Sequence, residues 1–428
     1  MSTDTIAITI LIGVFLTLLF LRVSVAVAMG IASIATYAYL KLPLEMVVQY
    51  TVGGVNSFTF LAVPFFILGG ELINQGGIGD RLVRLADELV GWIHGGAAMV
   101  NVLASMFFGG ISGSAPADIA ALGPIEIKLM ESQGFTKEYA TGLTCATAVQ
   151  GMLIPPSHNL VIYAVAAGSI SVGSLFLAGL PAGIFLGVVL GIYSYIYARR
   201  KGYAAGHKFH LGRTLRAFVS AFGGLMTIVI IFCGVSFGIM TATESAAVAA
   251  LWAFICAFII YRDVPLKRYY KIASDAIRML STIMILLAIA NAFGWVVAYL
   301  RIPNKVATAL LGMTTNKFVI LVLINLLVLF LGCIMSISSI LLILTPIIVP
   351  ILNAVDYSLI QFGIVMVLNL GIGLLTPPVG AALYVGSAVS GLGVGKTAKS
   401  LMPFYLIMVA TLFALAFIPG FTRVLGAW

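Results

Sequence analysis

Two short runs of glycine and hydroxyl residues carry the most chemical potential in this chain. Gly109, Gly110, Ser112, Gly113 and Ser114 form the first, and Gly332, Ser336, Ser338 and Ser339 the second. Each run is followed by a Pro-Pro pair, Pro155-Pro156 and Pro377-Pro378, with Thr376 just ahead of the second pair. Proline has no amide donor and pushes the preceding residue out of the α region. Carbonyls near Gly151–Ile154 and Gly373–Thr376 are therefore expected to lose their intrahelical partners. Free carbonyls plus hydroxyls make a ligand field for a hard cation such as sodium, and half-helix N-termini suit a carboxylate. The expectation is two quasi-equivalent cation sites with an anion between the two tips. Ser114, Ser157, Asn159 and Ser336 would be the donors to that anion.

These features recur at one register. Phe108, Gly110, Ser114, Pro124 and Ile125 reappear 222 positions later as Phe330, Gly332, Ser336, Pro346 and Ile347. Gly151, Leu153, Pro155 and Pro156 return in the same register as Gly373, Leu375, Pro377 and Pro378. Glycine and serine also occur in membrane helices because they let backbones approach closely, and a single such cluster reads that way. Packing alone does not require both interruptions to recur at one offset. A secondary carrier with its site at a repeat interface does.

The elements that must hold these residues are membrane helices. Hydrophobic residues make up 61% of the 428-residue chain and charged residues 9%, and mean hydropathy is +1.15. The stretches 5–21, 23–40, 178–198, 217–235, 243–260, 280–300, 317–335 and 401–419 approach or reach the length that crosses about 30 Å of hydrocarbon. They run continuously apolar rather than alternating, which predicts helices and not a barrel. The first apolar run lacks a basic start and a small-residue cleavage site, so it reads as a retained helix.

The net charge of +9 is not a nucleic-acid signal, because the basic residues sit in short loops. Arg199, Arg200, Lys201, Lys208, Arg213 and Arg216 form one cluster, and Arg262, Lys267, Arg268, Lys271 and Arg278 another. Two crossings separate them, which places both on the cytoplasmic side. Cys145, Cys233, Cys256 and Cys333 lie in apolar segments without metal-ligand spacing and read as small buried hydrophobes.

Four stretches follow from this pattern: scaffold helices over 1–93, a first repeat core over 94–198, a basic loop with scaffold or arm helices over 199–303, and a second repeat core over 304–428. Each core opens with a short apolar run (97–108; 317–331), then a Gly/Ser tip, then an apolar run ending at proline. That pair reads as a re-entrant helical hairpin, with the Pro-Pro pair breaking a later helix. The segment around Arg81, Arg84, Asp87 and Glu88 sets its charges opposite Leu82, Leu85 and Leu89. It is either an interfacial helix or a solvated connector.

Glu71, Asp118, Glu126 and Glu244 fall in or beside apolar stretches, where a carboxylate needs protein, water or a partner. Asp118 is placed to brace the first tip, and Glu244, after Thr241, to cap a helix. His158 adjoins the proposed cavity. Its open roles are a substrate hydrogen bond, a proton carrier or a buried structural ring. Gly110-Ile111-Ser112-Gly113 also matches a GxSG intramembrane serine protease signature, with Ser112 as nucleophile and His158 as base. The duplicated hairpin and both Pro-Pro breaks go unexplained in that reading, and Ile334 replaces the serine at the repeat position. A passive anion channel is the third class, though two hairpins in one chain fit alternating access better. No phosphate-binding loop is present, so ATP hydrolysis within the chain is not expected.

The strings GGISGSAPAD (109–118), IPPSHNLVIY (154–163), TATESAAVAA (241–250) and FGIVMVLNLGIGLLTPPVG (362–380) resemble the DctM-like large membrane subunit of TRAP (tripartite ATP-independent periplasmic) transporters. The resemblance spans essentially the whole chain. It implies an all-α polytopic membrane protein of two inverted repeats, working as an elevator in which sodium drives uptake of an organic acid. It also implies a periplasmic substrate-binding protein that delivers the acid, a small four-helix membrane subunit that braces the scaffold, and a place in the bacterial inner membrane. C4-dicarboxylates, sialic acids and sugar acids are all open as substrates. By the same resemblance one sodium site lies among Gly109, Ser112, Gly151, Ile154 and Pro156. The other uses Gly332, Gly373, Thr376 and Val379. Two positions depart from the family pattern: Ser336 stands where many members carry aspartate, and His158-Asn159 replaces a more usual apolar pair.

Overall fold

The computed structural model describes residues 3–21, 23–56, 61–168, 170–203, 206–314, 316–418 and 420, which are helical with no strand among them. The chain opens with α1 (Thr3–Phe20), α2 (Val25–Tyr39), α3 (Glu45–Val55), α4 (Ala62–Gln75) and α5 (Ile78–Val90). A first hairpin, α6 (Gly96–Ser112) and α7 (Ala115–Ser132), precedes α8 (Lys137–Gly151) and α9 (His158–Ala167). Four longer elements follow: α10 (Val172–Lys201), α11 (Leu211–Ser236), α12 (Ala242–Ile255, extended by a π-helical turn Cys256–Ile260) and α13 (Tyr269–Tyr299). After α14 (Ile302–Met313) comes a second hairpin, α15 (Lys317–Gly332) and α16 (Ile337–Ala354). The chain continues through α17 (Leu359–Leu375), α18 (Ala381–Ser390), α19 (Val394–Ser400) and α20 (Met402–Phe417).

Six of these helices are long and apolar enough to cross a membrane: α1, α10, α11, α12 with its extension, α13 and α16. The expected span at 317–335 is instead a 16-residue helix that stops at Gly332. The glycine-led tip ends it. The stretch 23–40 yields only 15 helical residues, and 401–419 belongs to a pair of helices bent by 51° at Leu401. Conversely, α16 reaches span length despite Pro346 and Pro350.

The two central helices are α8 and α17, whose first residues, Lys137 and Leu359, lie 222 positions apart. Every residue from Tyr139 to Gly151, and from Gln361 to Leu375, is buried. A helix buried all round has lost any amphipathic preference and is held by its neighbours. Between apolar helices in lipid, the holding comes from close backbone approach and polar contacts. Both are present. The Asn101 side chain donates to Thr144 Oγ1 at 2.6 Å and accepts from Thr147 Oγ1 at 2.7 Å, joining α6 to α8. In the second half Asn369 Nδ2 donates to Asn325 O at 2.8 Å and to Asn325 Oδ1 at 2.9 Å, joining α17 to α15.

The connectors follow sequence signals closely. Gly76 closes α4, and Gly77 (φ +69°) permits the left-handed turn into α5. The apolar face of α5 packs on α6 and α11, so protein covers it. Its charges form the ion pairs Arg81–Asp263, Asp87–His207 and Glu88–Arg213. Thr241 and Glu244 make a reciprocal capping box at the start of α12, as expected for an acidic residue in a first turn.

Candidate functional site

Both hairpin tips turn on residues the sequence marks out. Gly113 (φ +61°) makes a turn that a side chain would strain, and Ser114 in extended backbone starts α7. The second tip runs Cys333–Ser336, with Ser336 capping α16: Ser339 N donates to Ser336 Oγ at 3.3 Å. Each tip sits against its broken helix through a glycine pair. A Cβ built on Gly109 would lie 2.0 Å from Gly151 Cα, and one on Gly373 would lie 2.7 Å from Gly332 C. Only glycine fits contacts of that kind.

Each break is held to its tip by a polar contact, but the contacts differ. In the first half Asn159 Nδ2 donates to Gly113 O at 3.1 Å. In the second half Val379 N donates to Cys333 O at 3.2 Å. Among the described residues no backbone hydrogen bond ends on the carbonyls from Gly151 to Pro156. These are buried residues, and an unpaired buried carbonyl costs about 1–3 kcal/mol unless something else meets it. The first break is therefore suited to a cation. The second differs from the expectation, because Thr376 N donates to Gly373 O at 2.9 Å and Tyr405 donates to Leu375 O. The Thr376 hydroxyl donates to Ile372 O at 2.9 Å, which leaves its oxygen lone pairs available.

Between the tips lies a cavity of about 320 Å³. Ser114, Met152, His158 and Asn159 line it from the first half, and Gly332, Met335, Ser336 and Val379 from the second. Met279 of α13 completes the wall. Four of the five residues nominated for substrate, Ser114, His158, Asn159 and Ser336, are thus brought together. Ser157 is not among the lining residues. It N-caps α9 with its hydroxyl buried and unpartnered. Of the cation nominees, Gly332 and Val379 face the cavity, and Gly109, Gly151 and Gly373 make the tip contacts. Pro156 O lies 3.0 Å from a Cβ built on Gly113, and Ile154 Cγ2 lies 3.2 Å from one on Gly110. Ser112 faces a second, smaller cavity that it shares with His158, yet no hydrogen bond joins the two. The nucleophile–base contact of a serine protease is therefore missing.

Among the described residues no Lys, Arg, Asp or Glu lines the larger cavity. Its polar groups are hydroxyls, an amide and an imidazole, all able to donate to a carboxylate. The three methionines gave no sequence signal, because an apolar residue in an apolar helix does not announce which face it serves. Asp118 lies on α7 facing Ser105 of α6, inside the hairpin. It is 1% exposed and lies near Glu126, and among the described residues the hydroxyls beside the two buried carboxyls are those of Ser105 and Thr144, neither in good hydrogen-bond geometry.

Comparison with known proteins agrees with this architecture. The chain is 36% identical over 416 residues to the isethionate TRAP transporter permease protein DctMQ of Oleidesulfovibrio alaskensis, covering 96% of this chain and 65% of that longer protein. It is 39% identical over 373 residues to the C4-dicarboxylate TRAP transporter large permease protein DctM of Pseudomonas aeruginosa, covering 87% of each. Among solved structures it shares the fold of the Alcanivorax borkumensis YdaH transporter, with a TM-score of 0.65 at 14% identity, over 92% of this chain and 88% of that one. The family described as tripartite ATP-independent periplasmic transporter, DctM component, matches residues 12–421, and the chain belongs to that family of membrane transporters.

Proposed function

We propose that this chain carries an organic acid across the bacterial inner membrane, driven by sodium, through an elevator movement of the two hairpin cores. The observation that carries the reading is the cavity between the tips, where Ser114, Asn159 and Ser336 converge from halves 222 positions apart. A carboxylate in that cavity meets donors and helix N-termini rather than a fixed positive charge. Sodium fits the unpaired carbonyls from Gly151 to Pro156 with Gly109 and Ser112 beside them. A second ion fits Gly332, Gly373, Thr376 and Val379. The relatives named for isethionate and for C4-dicarboxylates support an acidic substrate. Family membership supports a periplasmic binding protein as the source of the acid and a small four-helix subunit as the brace.

The test is uptake of labelled organic acids by liposomes holding the chain, its small membrane subunit and its binding protein, with and without an inward sodium gradient. Sodium-dependent uptake lost in both Ser112→Ala and Thr376→Ala supports one cation site per half. Gradient-independent uptake with both variants active removes sodium coupling.

A further inference from the structure

The smaller cavity, about 30 Å³, lies where α4 meets the first hairpin tip. Its polar lining is Glu71 and Asn74 from α4, Ser112 and Ser114 from the tip, and His158 from the start of α9. The volume is that of a single water or a single small ion. The two elements touch through backbone: a Cβ built on Gly70 would lie 3.7 Å from Ile111 O and from Ser112 Cα. Glu71 has one hydrogen bond, from Gln75 Nε2 to its Oε2 at 3.2 Å, and that amide is shared with Asp275 Oδ2 at 3.5 Å. None of the ion pairs among the described residues includes Glu71 or Asp275. A half-buried carboxylate among apolar helices with one neutral donor is short of positive charge.

We propose that Glu71, Asn74, Ser114 and His158, with Ser112 shared with the site at the first break, bind a further monovalent metal cation, sodium or potassium, at the junction of α4 and the first hairpin. One carboxylate with neutral ligands matches a single charge, whereas a divalent ion draws on several carboxylates and more oxygens. The position explains how an anion is tolerated next door. Ser114, His158 and Met279 line both cavities, so the ion cancels the Glu71 charge that would otherwise repel an anion in the larger one. Because its ligands come from three segments, α4, the tip and the start of α9, the ion also latches α4 to the tip. Coupling of this ion to transport rests on the sodium-driven reading above, whereas its binding does not.

Thermal unfolding of the purified full chain, with sodium, potassium or choline chloride at constant ionic strength, tests the site. A bound cation raises the melting temperature by mass action. The expected result is a metal-cation response whose half-saturating concentration rises by about tenfold to hundredfold in Glu71→Gln and in Asn74→Ala. The second variant covers a failure of the first to fold. Wild-type behaviour in both variants overturns the site and leaves sodium coupling elsewhere intact. Sensitivity to pH that disappears in Glu71→Gln, with the cation response unchanged, shows that the carboxylate takes a proton instead and also overturns it. A wild type indifferent to both cations overturns this site together with the sodium-driven reading.

Discussion

Gly109 and Gly151 meet backbone to backbone, and a Cβ on Gly109 would fall 2.0 Å from Gly151 Cα. The corresponding contact in the second half is looser from one side: a Cβ on Gly332 would lie 3.4 Å from Gly373 Cα, an ordinary packing distance. Sequence symmetry does not anticipate the difference. It yields a prediction with a built-in control. Gly109→Ala must push α6 off α8 and destabilise the first hairpin by about 1–3 kcal/mol or more. Gly332→Ala should leave the fold intact. Equal loss of folded protein in the two variants, read by size-exclusion and thermal unfolding, would contradict the geometry.

The asparagine contacts should hold each half's hairpin arm to its central helix by comparable amounts. Replacing Asn325 or Asn369 singly with leucine strands a buried polar partner, at about 1–3 kcal/mol each. The double variant should recover part of that loss, with a coupling of about 0.5–2 kcal/mol. A double-mutant cycle by unfolding in mixed micelles measures it, and strict additivity would show that the 2.9 Å contact contributes nothing.

Asp118 and Glu126 present four buried carboxylate oxygens without a hydrogen-bond partner, with Ser105 and Thr144 beside them. Two ionisable carboxyls buried side by side with only neutral hydroxyls near them are costly to desolvate, so removing one should relieve the site. Glu126→Gln is expected to keep or raise the melting temperature. A drop of several degrees would mean that the carboxylate is satisfied by a group outside the chain.

His207 sits in the loop ahead of α11, facing Asp87, Glu88 and Arg213. The Lys208 carbonyl, 3.1 Å from Nδ1, and then Asp87, 3.2 Å from Nε2, hold its pKa above the usual imidazole value despite partial burial. Folding thus favours the protonated ring. The stabilisation is complete below the ordinary pKa of about 6.5 and fades as pH rises through the raised folded value. Amide exchange at the C-terminal end of α5 should accelerate as pH rises beyond the intrinsic effect of pH on exchange, and His207→Gln should abolish that excess.

Much of the scaffold was legible because each signal is local. Thr241 and Glu244 capped a helix, and the Pro-Pro pairs separated α8 from α9 and α17 from α18. Span boundaries were less so. The apolar run 317–335 looks continuous, but the chain turns at Cys333–Ser336, since hydropathy registers composition and not direction. Adjacency in sequence also does not settle lining: Ser157 is next to His158, yet it is buried at the start of α9 and is not among the residues that line the cavity.

The repeated register, the membrane class and the pairing of Gly/Ser tips with Pro-Pro breaks were determined by sequence alone. Each depends on residue type and spacing, which survive without coordinates. The asymmetry between the halves belongs to the tertiary structure. Residues Gly151 to Asn159 are buried whereas Pro377, Pro378 and Val379 are exposed. Glu71, a carboxylate with no evident partner in sequence, reaches Ser112 and His158 only because α4 packs against one tip. Contacts between segments distant along the chain depend on how helices pack, and local residue pattern does not encode that packing.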